Sequence, residues 1–251
     1  HPFLSHTNIR ATAEILGIVK GATADDLILT VVSGGGSSLL CWPHQLECDD
    51  VTNITRLLMQ RRATIHELNT VRKHISEIQG GQLAWMAHPA TVVGLIFSDV
   101  PGDDISMVAS GPTVLDTTSV RDAQRIMNKY DVLRMCQLEH CDLRETPKHP
   151  RFFEHVQNEL VVGNRTAVRA MAIRAKRLGY EPIIYSTTLE GEAKEAGQLI
   201  SSLLKPGQAL IAAGETTVTV HGKGQGGRNQ ELALGALATL PPGGLVLSIA
   251  S

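Results

Sequence analysis

The stretch Leu27-Ile-Leu-Thr-Val-Val-Ser-Gly-Gly-Gly-Ser-Ser-Leu-Leu40 restricts the fold more than any other part of the chain. Leu27 to Val32 is a continuous apolar, β-branched run, the pattern of a strand buried on both faces of a parallel sheet. It breaks abruptly into Ser33, Gly34, Gly35, Gly36 and Ser37. Consecutive glycines can take positive φ and present bare backbone N–H groups. Such a turn is either a tight strand-to-helix connection or a cradle for a phosphate or carboxylate. Both readings stay open on this stretch alone.

The same strand-to-loop pattern recurs. Thr91–Phe97 is a second apolar run, ending in Ser98-Asp-Val-Pro-Gly-Asp-Asp104. Helical spacing predicts helices over 7–20, with Ala11, Ile15 and Ile18 facing inward, and over 49–62, 64–76, 82–87 and 119–130. Residues 134–157 lose periodicity and read as a linker. The same segment also reads as a crossover. Beyond it, strands are expected at 158–162, 182–186, 208–213, 216–221 and 245–249, and helices at 165–178, 192–204 and 229–239. The expected class is α/β with mainly parallel pairing. A domain boundary is expected near residues 134–157, dividing the chain into 1–145 and 146–251.

With 43% hydrophobic and 4% aromatic residues, the core must be aliphatic. Lys and Arg (23) nearly balance Asp and Glu (25), so no net field favours nucleic acid or an anionic membrane. No apolar run approaches the ~20 residues of a spanning helix. The four cysteines lack C-x-x-C spacing and read as free thiols of a cytoplasmic protein. Cys136, His140, Cys141 and His149 fit no standard zinc pattern.

Three groups carry candidate chemistry. Asp99, Asp103 and Asp104 form the densest acidic cluster, which reads either as a carboxylate set for a divalent cation or as a solvated turn. Arg72 and Lys73 are able to hold a carboxylate or phosphate, although an exposed helix face is the simpler reading. Gly222, Gly224 and Gly227 satisfy G-x-G-x-x-G between an expected strand and an expected helix, the dinucleotide fingerprint. That fingerprint calls for an acidic residue about 20 positions on, and residues 240–249 contain none. Arg228 at a helix start opposes the helix dipole, which points it toward an anion, with a polyphosphate as the expected partner.

Six motifs in this order resemble the glycerate 2-kinase family, whose carboxyl-terminal module is called MOFRL. They are Ser33–Ser37, Asn69-Thr-Val-Arg-Lys-His-Ile-Ser76 with Gly80-Gly81, Ser98–Asp104, Ala109-Ser-Gly-Pro-Thr113, Gly214-Glu-Thr-Thr-Val218 and Gly226-Gly-Arg-Asn-Gln-Glu231. The resemblance covers essentially the whole chain. It implies ATP-dependent phosphorylation of D-glycerate to 2-phosphoglycerate with Mg²⁺, on two α/β domains, the first (1–145) Rossmann-like with a mainly parallel sheet and the second (146–251) a smaller MOFRL-type α/β module. It places the glycine turn, Arg72 and Lys73 at substrate or phosphate, and Asp99 and Asp103 at metal and phosphate. Glu215, Gly226, Gly227, Arg228 and Asn229 fall at the nucleotide, with Arg228 and Asp99 as the catalytic pair. Glycerate is the implied partner, and a homodimer stays open.

Ala213, Gln225 and Ser38 depart from the family pattern, and Gln225 removes a positive charge beside the expected phosphates. The family's Gly-Lys-Ala segment, with its lysine, and its Thr-Asp-Gly segment are not in these 251 residues. The chain is therefore expected to be incomplete at both termini and inactive alone. Two other readings remain: a nicotinamide-dependent hydroxypyruvate reductase using Gly222–Gly227, and a non-catalytic ligand-binding remnant.

Overall fold

A computed structural model describes residues 5–222 and 224–249. The chain forms two compact units. The first comprises residues 1–97 and 105–161, and the second 98–104 and 162–251.

In the first unit, helix α1 (His6–Lys20) leads to strand β1 (Leu27–Val32). The short α2 (Gly36–Leu39), α3 (Cys48–Gln60), α4 (Ile65–Ile75) and α5 (Gln82–Ala87) follow, and then β2 (Thr91–Phe97). Helices α6 (Val120–Lys129) and α7 (Val132–Met135) precede β3 (Val156–Val162). The sheet order is β1-β2-β3, with β1 and β2 parallel from Leu27 opposite Thr91 to Val32 opposite Ile96. Capping chemistry explains where α4 and α6 begin. Thr64 and Ser119 each accept a backbone N–H three residues on, while Glu67 and Asp122 reach back to the cap.

The core lies in two places. Ile54, Leu57 and Leu58 of α3 pack with Leu68, Val71 and Ile75 of α4, closed by Met127 and Val132. Leu16 and Val19 of α1 pack with Ile78, Leu83, Ala87 and Val92 against the sheet. The inward face of α1 is thus Thr12, Leu16 and Val19, one position on from the expected set, and Ile18 is exposed. Nor is β1 buried on both faces: Leu27, Leu29 and Val31 are open, while Ile28 packs on the α1 core and Val32 is buried.

Residues 134–157 are not a linker. Cys141 and Leu143 pack on the α3–α4 core, the Arg144 N–H donates to the His74 carbonyl (2.8 Å), and β3 joins the sheet. The unit therefore runs to Val161, later than residue 145, because this segment gains its contacts from residues far away in sequence.

In the second unit, α8 (Asn164–Arg177), β4 (Glu181–Leu189), α9 (Ala193–Ser202), β5 (Gln208–Gly214) and α10 (Arg228–Ala236) follow in order. Strands β4 and β5 pair in parallel. Helix α10 packs on α9, where the Ser201 hydroxyl donates to the Ala236 carbonyl (3.0 Å). Residues 216–221 and 245–249 form no strand, and the former makes one bridge, Thr217 to Glu192. The alternation of 216–221 is real, but among the described residues no second strand lies beside either segment along its length. No helix of the described residues is long and apolar enough to cross a membrane.

Candidate functional site

In the first unit the glycine turn behaves as its composition predicts. Gly35 takes φ +80° and opens α2, while Ser33, Gly34 and Gly35 stay exposed. Gly36 has a steric role. A Cβ there would sit 2.6 Å from the Ala109 Cβ, so only glycine lets α2 approach this segment. Ala109, Ser110 and Gly111 all have φ between 51° and 59°. For the two non-glycine residues this left-handed backbone costs about 1–2 kcal/mol each. The conformation is held by the Gly80 N–H donating to the Ser110 carbonyl (2.9 Å) and the Gly81 N–H to the Gly111 carbonyl (2.8 Å). The fully buried Ser110 hydroxyl donates to Asn69 Oδ1 (2.6 Å) and lies 3.0 Å from Ser37 Oγ. Three separate sequence motifs are therefore bound into one strained, polar cluster.

Arg72 and Lys73 are not on an exposed helix face. Lys73 is buried, with its Nζ 3.1 Å from Asp116 Oδ1. Asp116 also accepts from Thr118 (2.8 Å) and Thr146 (3.0 Å), and Lys148 lies 3.4 Å away. Burial pushes the Asp116 carboxyl up, but Lys73, Thr118 and Lys148 outweigh it and hold the group below its ordinary value. Lys73 is thus committed to a structural ion pair that no local pattern announces, since its partner lies 43 residues on. Arg72 lines a cavity of about 520 Å³ together with Ser37, Ser76 and Gln79.

In the second unit Asp103 is used as a helix cap. Its Oδ1 accepts the Asn164 N–H (2.9 Å) and its Oδ2 the Arg165 N–H (3.4 Å), at the start of α8. A carboxylate there also meets the positive end of the helix. Asp99 is exposed and makes no such bond. The acidic loop is therefore divided by role, and no group of three or more potential metal ligands occurs among the described residues, Cys136 and its neighbours included.

Glu215, Arg228 and Asn229 do come together. Gly214 packs so tightly on β4 that a Cβ would meet Leu189 backbone atoms at 2.2 Å. This lets the Glu215 N–H donate to the Leu189 carbonyl (2.8 Å). The Glu215 carboxylate then accepts from Arg228 Nη1 at 2.5 Å. Arg228 stands at the first position of α10 after Gly227, and Asn229 Oδ1 accepts from Ser248 (2.9 Å). Both members of the ion pair remain about half exposed.

The dinucleotide fingerprint loses its context. No strand precedes Gly222, and Cβ atoms on Gly222, Gly224 or Gly227 would meet nothing within 4 Å. In that fingerprint the third glycine permits close helix–strand packing, which Gly227 does not make. Lys223 lies outside the described residues.

Comparison with known proteins then decides the family. A profile described as Domain of unknown function (DUF4147) matches residues 1–142, and the MOFRL family profile matches 208–251. Glycerate 2-kinase of Pyrococcus horikoshii is 40% identical across 94% of this chain and 58% of its own length. Glycerate kinase of Macaca fascicularis is 36% identical, across 90% of the chain and 70% of the relative. The chain belongs to the glycerate 2-kinase family. A crystal structure of glycerate kinase from Thermotoga maritima matches with a TM-score of 0.81 at 37% identity, covering 96% of this chain and 60% of that one. The chain thus spans about 60% of the length of several of these relatives. Within the glycerate 2-kinase frame, local sequence assigns no individual role to Ser110, Asn69, Gln79 or Asp116, which the fold brings into these polar clusters. For Asn69 the local signal is polarity on a helix otherwise built for the core, where Asn69, Thr70, Lys73 and His74 are all buried; Gln79, Ser110 and Asp116 lie outside α4 and carry no such signal.

Proposed function

We propose that this chain serves a phosphotransferase that moves the γ-phosphoryl group of ATP to D-glycerate, giving 2-phosphoglycerate. The reading is carried by the 40% identity, over 94% of the chain, to a protein named glycerate 2-kinase. Phosphoryl transfer is mostly positioning and charge compensation. The Ser33–Ser37 turn, exposed at Ser33, Gly34 and Gly35, offers backbone N–H groups to substrate or phosphate. Arg228, flanked by Gly226, Gly227 and Asn229 at the positive end of α10, faces nucleotide phosphates, with Glu215 holding its guanidinium in place.

A magnesium ion fits these residues only if phosphates supply most of its ligands. Asp103 is taken up by α8, and Asp99 is an exposed carboxylate of the same loop. Mg²⁺ is commonly held by one or two carboxylates plus phosphates, and when bound it would offset phosphate charge. Asp99 then also lies in reach of a role in orienting the attacking hydroxyl. The protein is proposed to act in the cytoplasm. A coupled assay on the full-length protein, following ADP release that depends on D-glycerate, tests the reading. Absence of glycerate-dependent turnover with ATP and Mg²⁺ would overturn it.

A further inference from the structure

Two of the four cysteines have no part in the phosphotransfer reading, yet the first unit brings them into contact. Cys41 and Cys48 are both buried, and their Sγ atoms lie 3.0 Å apart. Ordinary packing leaves carbon atoms roughly 3.5–4.0 Å apart, and sulfur is the larger atom. A disulfide holds its two sulfurs about 2.05 Å apart, so a movement of roughly 1 Å closes the gap. Cys136 and Cys141 lie elsewhere, against the α3–α4 core.

Each sulfur is held from a different side. Leu40 and Trp42 flank Cys41 and pack on the core that Leu16 and Val19 of α1 share, and the Cys41 N–H donates to Thr12 Oγ1 of that helix (3.1 Å). Cys48 opens α3, and Leu46 and Val51 near it pack on the α3–α4 core. The chain between them is fastened to the end of α4. The His44 N–H donates to the Ile75 carbonyl and the Glu77 N–H to the Trp42 carbonyl, both at 2.8 Å. The fold itself therefore makes the sulfur–sulfur contact, and joining the two atoms asks little of the backbone.

A route to the pair is also present. Cys41 lines the cavity between α3, α4 and residues 37–43 into which Arg72 is also set. At about 520 Å³ this space admits a small oxidant. Burial, reinforced by the hydrogen bond and charge of Cys48, pushes the Cys41 thiol up. The pair therefore rests as two thiols and reacts slowly.

We propose that Cys41 and Cys48 form a redox modification site, a dithiol that hydrogen peroxide converts to a disulfide. The Cys41 sulfur attacks a peroxide oxygen: an S–O bond forms, the O–O bond breaks, and water leaves with the thiol proton. The Cys48 sulfur then attacks the resulting sulfenic sulfur: the S–S bond forms, the S–O bond breaks, and a second water leaves with the second proton. The two sulfurs are oxidised and the peroxide is reduced by two electrons. A reducing dithiol reverses the change by exchange. The bond closes residues 41–48 into a ring and staples the segment after α2, the helix that the glycine turn opens, to the start of α3. In a reducing compartment such a bond is transient and reports on oxidant rather than holding the fold.

The test reads thiols and mass, so failure of the phosphotransfer reading leaves it intact. The full-length protein is treated with hydrogen peroxide, quenched with catalase, unfolded in iodoacetamide and digested with trypsin. No Lys or Arg stands between Gly21 and Thr55, so both cysteines stay in one peptide, Gly21–Arg56. Most of this peptide is expected to escape alkylation and to weigh two hydrogen atoms less than its dithiol form. Dithiothreitol before alkylation is expected to restore both alkylation sites. Cys48→Ser is expected to stop at the Cys41 sulfenic acid, captured by dimedone. The proposal is overturned if Cys41 and Cys48 are both still alkylated in the peroxide-treated wild type. Oxidation to sulfinic acid without a disulfide overturns it too, as does a disulfide from either residue to Cys136 or Cys141, or a folded Cys48→Ser protein without dimedone on Cys41. The wild-type measurement decides by itself, so a variant that fails to fold does not shelter the proposal.

Discussion

Single side chains set the sharpest tests. Arg228 pairs with Glu215 at the start of α10, both half exposed, so the pair itself adds little stability. Its proposed role is to present a guanidinium to a phosphate. Arg228→Ala is expected to lower kcat/KM for D-glycerate by about tenfold or more, with Tm nearly unchanged. A fall of less than about threefold, under ~0.7 kcal/mol, removes Arg228 from the proposed chemistry. Asp116 is the opposite case. It is fully buried between Lys73 and Lys148, and Asp116→Ala strands a buried ammonium. Urea unfolding is expected to show a loss of about 3–5 kcal/mol, most of it recovered in the double variant Lys73→Met, Asp116→Leu. Neither consequence is legible in the local sequence. Lys73 sits beside Arg72 in one motif, yet one side chain is spent on the fold and the other faces a cavity.

At the level of elements, boundaries were readable where capping chemistry is local. Thr64 and Glu67 start α4, and Ser119 and Asp122 start α6, within the residues that the spacing indicated. Thr64→Ala is expected to cost about 1 kcal/mol of unfolding free energy, read as a lower urea midpoint at unchanged m. Elements failed to form where their partners were needed. Residues 216–221 alternate as a strand should, yet make one bridge, because strand identity depends on a neighbour that periodicity cannot supply. The same reasoning explains β1. Its unbroken apolar run indicates a strand correctly, but which faces are covered depends on what packs there.

For the whole molecule, acid sensitivity follows from two carboxylates of the first unit. The Lys129 ammonium, followed by the Thr64 N–H, holds Glu67 at about 2, and Asp116 also lies below its ordinary value. A depressed folded-state pKa contributes stability above the unfolded value, and that stability is lost as pH falls through the folded value. Stability is therefore expected to decline progressively from about pH 4.5 toward pH 2, followed by urea midpoints across that range. A flat profile would show that these groups do not differ between the folded and unfolded states.

Local pattern alone determined the α/β class, most helices, the apolar strands, the glycine turn and the ordered motifs of the glycerate 2-kinase family. Each rests on residues within a few positions of one another, where periodicity, capping and glycine geometry act. Tertiary structure alone decided that Lys73 answers Asp116, that Asp103 caps α8, and that Ala109 and Ser110 are held in left-handed backbone by Gly80 and Gly81. It also decided that Arg72 is left facing a cavity without a counter-charge. A charge's role is set by what is brought within a few ångströms of it, and for these residues the partners come from distant parts of the chain.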